Sequence, residues 1–249
     1  MSKNPHNIVI LGATSAIAMA TAMRLASEQT FFFLVARDSN KLSAFAADLQ
    51  IRTKTRVATF ACDLCDANTH AEVLRRSVEA LNRIDVVLIA YGILGNQKEA
   101  EQKFSSANHI LQTNFISTVS LLTEFANALE QQKSGTIAVI SSVAGDRGRQ
   151  SNYVYGASKG ALDIFLQGLR NRLYCSGVNV VTIKPGFVAT PMTADIPRNK
   201  LFASPDTIAC IIVRAITKRK HVAYAPGYWR LIMTILRGIP EPVFKRMKL

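Results

Sequence analysis

A tyrosine and a lysine four residues apart are the first pair in this sequence that could carry out chemistry. In the segment YVYGASK (153–159), Tyr155 and Lys159 have the spacing that places two side chains on one face of a helix, and Tyr153 is turned away. A phenol normally keeps its proton up to pH ~10, but a nearby ammonium favours the phenolate. Tyr155 is therefore predicted to transfer a proton near neutral pH. The alternative is an ordinary helix start with an amphipathic tyrosine.

The elements that must position this pair alternate along the chain. Continuous apolar segments separated by helical patterns predict a parallel sheet with helices on both faces, a doubly wound α/β fold. No linker divides the sequence, so residues 1–249 are predicted to form a single domain. The predicted strands are NIVILGA (7–13), FFFLVAR (31–37), RVATFACDL (56–64), DVVLIAYG (85–92), GTIAVISSVAG (135–145) and VNVVTIKPG (178–186). The predicted helices cover 14–28, 38–50, 71–82, about 106–132 and 155–174.

Composition, the N-terminal residues and the cysteines predict a cytoplasmic globular protein. Hydrophobic residues make up 49% of the 249 residues, enough for a sizeable core. The first residues, MSKNPHN, lack the basic flank and long apolar run of a signal peptide. The four cysteines are too scattered for a disulfide framework. Cys62 and Cys65 form a C-x-x-C, but no second pair completes a zinc site, so no metal is expected; a strand end at Cys62 and a helix start near Cys65 explain them.

The formal charge of +13 admits nucleic acid, an anionic membrane or a phosphorylated substrate as partners without choosing among them. A solvated basic face would also explain it. Nucleic acid is not expected, because no basic patch with interleaved aromatic residues accompanies the charge.

The turn LGATSAIA (11–18), between the first strand and the first helix, is where the pyrophosphate of a dinucleotide would meet backbone N–H groups and the helix dipole. Gly12 permits a sharp turn there. Ala16 and Ala18 occupy positions at which glycine would allow the closest approach of a phosphate.

The end of the second strand predicts which nicotinamide cofactor binds. An acidic residue at this point would bind the ribose 2′-hydroxyl of NAD, whereas the sequence has Ala36 followed by Arg37. A guanidinium can bind a 2′-phosphate through paired hydrogen bonds, which predicts NADPH over NADH. The alternative is a solvated arginine at a strand end.

Five motifs, in this order and spacing, resemble the short-chain dehydrogenase/reductase superfamily: GATSAIA (12–18), CDL (62–64), ISSVAG (140–145), YGASK (155–159) and KPGFVATPM (184–192). The resemblance extends from about residue 7 to 195. It implies a Rossmann-like fold and hydride transfer from a nicotinamide to a carbonyl while a tyrosine supplies the proton. One departure is IAYG (89–92) in place of the family's N-N-A-G, with Ala90 where the family has an asparagine.

The resemblance also implies the residues of the site. Ser142, thirteen residues before Tyr155, corresponds to the catalytic serine, and Ser141 would point to the opposite face of a strand. The implied catalytic residues are Asn114, Ser142, Tyr155 and Lys159. The implied cofactor-binding residues are Gly12, Thr14, Ser15, Ala16, Ile17, Arg37, Asp63, Leu64, Ala90, Gly92, Tyr155, Lys159, Pro185, Gly186, Val188 and Thr190.

Within the superfamily, the sequence is most similar to reductases of decaprenylphosphoryl 2-keto-pentose, on the segments AYGILG (90–95), 140–163 and 184–192 and on the C-terminal tail. This resemblance implies a substrate in which a polyprenyl phosphate carries a 2-keto sugar. A reductase of a soluble ketone, acyl compound or steroid-like alcohol is the alternative. A nucleotide-binding protein without turnover is a third reading, which the intact Ser142, Tyr155 and Lys159 disfavour.

The C-terminal segment 224–249 is basic and amphipathic. Trp229, Ile232, Ile235 and Leu236 can form an apolar face, with Arg230, Arg237, Lys245, Arg246 and Lys248 nearby. The apolar stretch is too short to span a bilayer, but it could lie on a membrane, on a second subunit or on the protein's own core. The superfamily resemblance further implies a homodimer or homotetramer that pairs through the helices at about 106–132 and 154–174.

Overall fold

The computed structural model describes residues 6–247. Seven parallel strands form one sheet in the order β3-β2-β1-β4-β5-β6-β7. Their bounds are β1 (Asn7–Leu11), β2 (Phe31–Ala36), β3 (Arg56–Ala61), β4 (Val86–Ile89), β5 (Thr136–Ile140), β6 (Asn179–Pro185) and β7 (Val222–Ala225). From β1 the chain continues through β2 to β3 at one edge of the sheet. It then crosses to β4, which lies beside β1, and continues through β5 and β6 to β7 at the other edge. This order confirms the predicted single-domain, doubly wound α/β fold.

Helices cover both faces of the sheet. Those within residues 6–247 are α1 (Ala16–Leu25), α2 (Ser39–Thr53), α3 (His70–Leu81), α4 (Gln97–Gln102), α5 (Phe104–Leu111), α6 (Ser117–Gln132), α7 (Tyr153–Leu173), α8 (Pro205–Thr217), α9 (Trp229–Gly238) and α10 (Glu241–Phe244). Three 3₁₀ turns, at 67–69, 143–146 and 191–193, and one π-helical turn, at 112–116, lie among them.

Two hydrophobic cores follow from the alternation of side chains along the strands. Ile8 and Ile10 of β1 pack in the core that also contains residues of α1, α2 and α8. Val9 and Leu11 of the same strand pack with α3, α6 and α7 on the other face. Because both faces of β1 are covered, the strand consists entirely of apolar residues after its first position.

The strands end earlier than the sequence predicts, and the chemistry-bearing residues lie just beyond them. β2 ends at Ala36, β3 at Ala61 and β5 at Ile140. Arg37, the CDL motif and Ser142 therefore lie in the segments that follow these strands, all at the carboxyl edge of the sheet. Loops at this edge are where doubly wound proteins bind ligands.

Two helical regions differ from the predictions. The long helix predicted over 106–132 is interrupted by the π-helical turn Gln112–Ile116 between α5 and α6. Residues 205–217, for which no helix was predicted, form α8. The N-terminus of α8 is capped by Ser204, whose hydroxyl accepts a hydrogen bond from Thr207 N (3.1 Å). Pro205 occupies the first helical position, where proline is favoured.

The described part of the C-terminal segment packs on the protein's own core. Trp229 and Met233 of α9 are buried against Val143. Arg147 donates hydrogen bonds to the carbonyls of Leu236 (2.5 Å) and Ile239 (2.6 Å), where α9 ends. Carbonyls at a helix C-terminus need partners from outside the helix, so the guanidinium both caps α9 and holds it in place.

The predicted apolar face of this segment is only partly buried. Ile232 and Leu236 contact the same cluster as Trp229, whereas Ile235 is 61% exposed and lies on the outer side of α9. Ile235 therefore takes no part in the packing of α9 on the core. Lys248 lies outside the described residues. Within residues 6–247, no helix has the length and apolar character needed to cross a membrane.

Candidate active site

The turn after β1 requires glycine at position 12. Gly12 has φ +85°, and a Cβ placed there would lie 2.6 Å from Tyr91 Cβ. The N–H groups of Gly12 and Ala13 donate to Val35 O (both 2.9 Å), and Ser15 Oγ caps α1 by accepting from Ala18 N (3.2 Å). The chain thus reverses tightly and presents the N-terminus of α1 at the carboxyl edge. This geometry suits a dinucleotide pyrophosphate.

In the rest of the predicted phosphate turn, one alanine is buried against the sheet and the other residues are partly exposed. Ala18 is fully buried, which lets α1 approach the sheet. The other predicted residues of the turn, Thr14, Ser15, Ala16 and Ile17, are partly exposed along the start of the helix. The two alanines therefore do not prevent the tight turn that the glycine pattern normally provides.

Arg37 is exposed directly after β2. The carboxylate that follows it, Asp38, caps α2 by accepting from Lys41 N (3.0 Å) and also pairs with Lys41 Nζ (3.6 Å). Within residues 6–247, no carboxylate forms an ion pair with Arg37. Its guanidinium is therefore accessible to a phosphate.

The CDL motif leaves the sheet at the next strand. Asp63 is exposed, and its Oδ1 accepts from Cys65 N (3.0 Å), while Leu64 is buried and its carbonyl is hydrogen-bonded to His70 Nε2 (3.0 Å). Helical structure begins at Ala67, so the predicted helix start near Cys65 is too early. Within residues 6–247, no group of three or more His, Cys, Asp or Glu residues could hold a metal ion.

Tyr155 and Lys159 lie on the first turns of α7, as their spacing predicts. Lys159 Nζ lies 5.9 Å from the centroid of the Tyr155 ring and donates to Ile140 O (3.1 Å), where β5 ends. Ser142 follows β5, and its Oγ accepts from Ala144 N (3.1 Å). The Ser142 hydroxyl is also near enough to the Tyr155 phenol to lower its pKa. The structure thus brings together three of the four predicted catalytic residues around the end of β5.

Asn114, the fourth predicted catalytic residue, occupies the π-helical turn and is 1% exposed. Its Oδ1 accepts from Ile93 N (2.8 Å), and its Nδ2 donates to Ile93 O (2.8 Å) and Ser158 Oγ (3.2 Å). A Cβ at Gly92 would lie 2.8 Å from Asn114 Oδ1 and 3.5 Å from Lys159 Nζ. Asn114 therefore fixes the segment after β4 beside the lysine.

Ala90, in place of the family's asparagine, is buried after β4 and donates its N–H to Leu11 O (2.8 Å). The link between β4 and β1 at this point is thus made by the backbone. The side chain of an asparagine is not needed for it.

Burial controls the protonation of the central pair. It raises the pKa of the Tyr155 phenol, and this effect exceeds the opposing influences of the Ser142 hydrogen bond and the Arg149 guanidinium. Burial also lowers the pKa of Lys159 to about 8, although the Asp163 carboxylate acts in the opposite direction. The expectation that the ammonium would lower the pKa of Tyr155 below its ordinary value is wrong for this chain. The phenol keeps its proton at neutral pH.

A buried ion cluster lies behind the pair. Lys184 Nζ is paired with Asp146 and with Asp163 Oδ2 (2.7 Å), and Tyr224 OH donates to Asp146 Oδ2 (2.8 Å). Although burial opposes it, the two carboxylates raise the pKa of Lys184, so the lysine is charged. The cluster connects β6 and β7 to α7 and to the turn that follows Ser142.

The segment after β6 carries the last predicted cofactor residues. Pro185 ends β6, Val188 is buried and pairs with Ala203, and Thr190 begins the 3₁₀ turn at 191–193. At Gly186 a Cβ would lie 1.9 Å from Trp229 Nε1, so the indole of α9 covers this glycine closely. The indole N–H is buried without a hydrogen-bond partner among the described residues.

Sequence reasoning missed three features of this site: the Trp229 indole over Gly186, the ion cluster around Lys184, and Arg149 beside Tyr155. The first two join residues that are far apart in sequence, so no local pattern indicates them. Arg149 did have a signal, because it is a charged residue between the two motifs that supply Ser142 and Tyr155.

Comparison with known proteins agrees with this geometry. A family model described as short chain dehydrogenase matches residues 6–201. An uncharacterized oxidoreductase of Streptomyces coelicolor is 37% identical over 246 residues, covering 98% of this chain and 96% of its own. One from Mycobacterium tuberculosis is 36% identical over 240 residues and covers 96% of both chains. The crystal structure of levodione reductase has a TM-score of 0.82 at 22% identity, over 90% of this chain and 98% of its own.

The doubly wound sheet, with its glycine turn and polar groups at the carboxyl edge, defines a nucleotide-dependent α/β enzyme. The chain belongs to the short-chain dehydrogenase family of oxidoreductases, which act on carbonyl and alcohol groups with a nicotinamide cofactor.

Proposed function

We propose that this protein is an NADPH-dependent carbonyl reductase in which Tyr155 is the proton donor. The observation that carries the proposal is geometric: Tyr155 and Lys159 lie together on the first turns of α7, with Lys159 Nζ hydrogen-bonded to Ile140 O two residues before Ser142. A proton donor must hold its proton at the working pH and be able to release it to a developing alkoxide. Burial and the neighbouring hydroxyl supply these two conditions.

Each residue has a distinct part in the proposed reaction. When bound, NADPH supplies the hydride that reduces the carbonyl carbon. Tyr155 OH donates its proton to the carbonyl oxygen, and Ser142 Oγ donates a hydrogen bond that stabilises the negative charge developing on this oxygen. Lys159 binds the nicotinamide ribose and returns a proton to Tyr155. Asn114 holds the segment after β4 in place behind Lys159.

The cofactor would lie along the carboxyl edge of β1, β2 and β4. We propose that the Gly12 turn and the N-terminus of α1 bind the pyrophosphate and that Arg37 binds the 2′-phosphate. Asp63 and Leu64 would border the adenine. Ala90 and Gly92 would border the ribose, and Pro185, Gly186, Val188 and Thr190 would border the nicotinamide.

Arg37→Ala is expected to abolish the preference for NADPH over NADH. A charge-assisted hydrogen bond contributes roughly 1.5–3 kcal/mol, so the dissociation constant for NADPH should rise about tenfold to a hundredfold while that for NADH stays the same. Fluorescence titration of the purified protein with both cofactors measures this. Arg52→Ala, on the outer side of α2, is the matched control. Equal NADPH affinity in wild type and Arg37→Ala would refute the assignment, and binding of neither cofactor would favour a protein without turnover.

For the substrate, we propose a polyprenyl-phosphate-linked 2-keto sugar. The outer side of α9 supports this, because Leu231 and Ile235 are 67% and 61% exposed, with Arg230 and Arg237 also at the surface. An apolar surface with basic neighbours suits the surface of an anionic membrane, where a lipid-linked substrate resides. A reductase of a soluble ketone, acyl compound or steroid-like alcohol would not need this surface.

Replacing Leu231 and Ile235 together with serine is expected to abolish binding to vesicles that contain anionic lipid. Burying two such side chains contributes about 1.5–3 kcal/mol each, so the vesicle-bound fraction should fall at least tenfold in a co-sedimentation experiment. Ile51→Ser is the matched control, because Ile51 is 81% exposed on α2. If the wild-type protein does not bind vesicles, or if the double variant binds equally well, the soluble substrate becomes the better proposal.

We also propose that the protein is a homodimer or homotetramer that pairs through α5, α6 and α7. Phe104 of α5, Ile116 of the π-helical turn and Ile164 of α7 are large exposed apolar residues, and a second subunit would cover them.

A further inference from the structure

The loop between the two catalytic motifs contains buried polar atoms that the described chain does not satisfy. Arg149 lies in this loop, six residues before Tyr155, and its Nε is buried without a hydrogen-bond partner within residues 6–247. Asn152 Oδ1 is likewise buried without a hydrogen-bond partner within these residues. The two residues are joined by a turn, in which Asn152 N donates to Arg149 O (3.1 Å).

Asn152 occupies the N-cap position of α7, where an asparagine side chain usually accepts a hydrogen bond from the helix. Here the side chain makes no such bond. Its polar atoms therefore do not serve the helix and remain available, next to Arg149, for another partner.

Arg147, two residues earlier, provides an internal comparison. Its guanidinium bonds the carbonyls of Leu236 and Ile239, pairs with Glu241 Oε2 (3.0 Å) and stacks over the Phe244 ring. Arg147 has a structural role. Arg149 has no comparable set of partners, although its side chain is half-buried.

The neighbouring carboxylates are already used. Asp146 and Asp163 pair with Lys184, and no ion pair within residues 6–247 includes Arg149. Leaving a guanidinium partly desolvated without a partner is costly, and proteins normally offset this cost by pairing the charge. A bound anion would supply the partner that Arg149 Nε lacks within residues 6–247.

Arg149 is also close to the reacting groups. Its turn with Asn152 leads directly into α7, which carries Tyr155 on its first turn. The Arg149 charge also lowers the pKa of the Tyr155 phenol, although burial and Ser142 have larger effects. A ligand group bound to Arg149 would therefore lie near the carbonyl that receives the proton of Tyr155.

We propose that Arg149, assisted by Asn152, binds a negatively charged oxygen group of the substrate, a phosphate or a carboxylate, beside the carbonyl. The planar guanidinium fork matches the two oxygens of such a group. The inference rests on the proposed reductase function. It names the class of substrate to which Tyr155 would donate its proton, a carbonyl compound with an anionic group.

The first test is calorimetric titration with two probes, inorganic phosphate and geranyl phosphate. It uses the Arg37→Ala background, which removes the guanidinium proposed for the cofactor phosphate. Adding Arg149→Met should weaken binding of both probes by roughly tenfold or more, as expected for a lost charge-assisted contact, whereas adding Arg52→Met should not. Equal affinity with and without Arg149 would overturn the proposal. Tighter binding of geranyl phosphate than of phosphate would identify a lipid-linked source of the anion, and equal binding a soluble one.

A second test needs no substitution and covers the case in which Arg149→Met does not fold. Phenylglyoxal modifies accessible guanidinium groups, and mass spectrometry of the peptide reports the rate at Arg149. Phosphate should slow this modification severalfold and leave that of Arg52 unchanged. A rate at Arg149 that does not respond to phosphate would count against the proposal.

Neither test depends on turnover or on NADPH. Phosphate binding that requires Arg149 would support the inference even if no carbonyl compound were reduced, in which case the proposed function would fail alone. Phosphate binding that does not require Arg149 would overturn the inference even in an active reductase.

Discussion

Tyr155→Phe is expected to lower carbonyl reduction by roughly 10²–10⁴-fold, the usual contribution of a positioned proton donor. The substitution removes only the hydroxyl, so the ring still fills its half-buried position on α7 and NADPH should bind with unchanged affinity. The measurement is NADPH oxidation under single-turnover conditions with a reactive diketone, together with a fluorescence titration of the cofactor.

Tyr153→Phe is the matched control for this experiment. Tyr153 is exposed and lies two residues earlier on the same helix, so loss of its hydroxyl should leave turnover unchanged. If Tyr155→Phe kept full turnover, the proton would have to come from another group, and the assignment of Tyr155 would be wrong.

Gly186→Ala is expected to be the most disruptive single-methyl change at the site. The added Cβ would lie 1.9 Å from Trp229 Nε1, and the buried indole must move to make room. Overpacking of this kind costs about 1–3 kcal/mol, and each kcal/mol lowers the melting temperature by about 2–4 °C in a protein of this size. Thermal unfolding monitored by circular dichroism measures the change. Because Gly186 is also a proposed border of the nicotinamide site, NADPH affinity should fall as well.

Gly168→Ala on α7 gives the comparison, because nothing lies within 4 Å of a Cβ at that position. Alanine in a helix interior is favoured over glycine by roughly 0.5–1 kcal/mol, so this variant should be slightly more stable than the wild type. Gly186→Ala should lower the melting temperature less in a Trp229→Ala background than in the wild type, as a direct contact predicts. Similar melting of the two alanine variants would show that the indole does not cover Gly186.

Much of the fold was predictable because it depends on local patterns. Most of the six predicted strands are apolar runs suited to a sheet buried on both faces, and β1 to β6 lie where predicted. The exception is β3, an edge strand without a buried residue. β7 was missed because its segment VAYA is only four residues long and its first residue is exposed. The pairing of Tyr155 with Lys159 was also predictable, since it follows from helix periodicity alone.

The rest of the site depends on contacts that have no local signature. Lys184 meets Asp146 across 38 positions, and the Trp229 indole reaches Gly186 from another element. The pKa of Tyr155 illustrates the same limit. The spacing to Lys159 predicted a lowered value, but the degree of burial decides the direction, and burial is a property of the folded chain.

Arg147 bears on how this protein can be engineered. One short turn carries Ser142 at its start and leads directly into the arginine that holds α9 and α10. Removing the C-terminal segment would expose Val143 and release Arg147, so a truncated enzyme would lose activity whether or not the segment touches a membrane. For the same reason, a chimaera that exchanges C-terminal segments between relatives should also transfer the residues matching Arg147, Glu241 and Phe244.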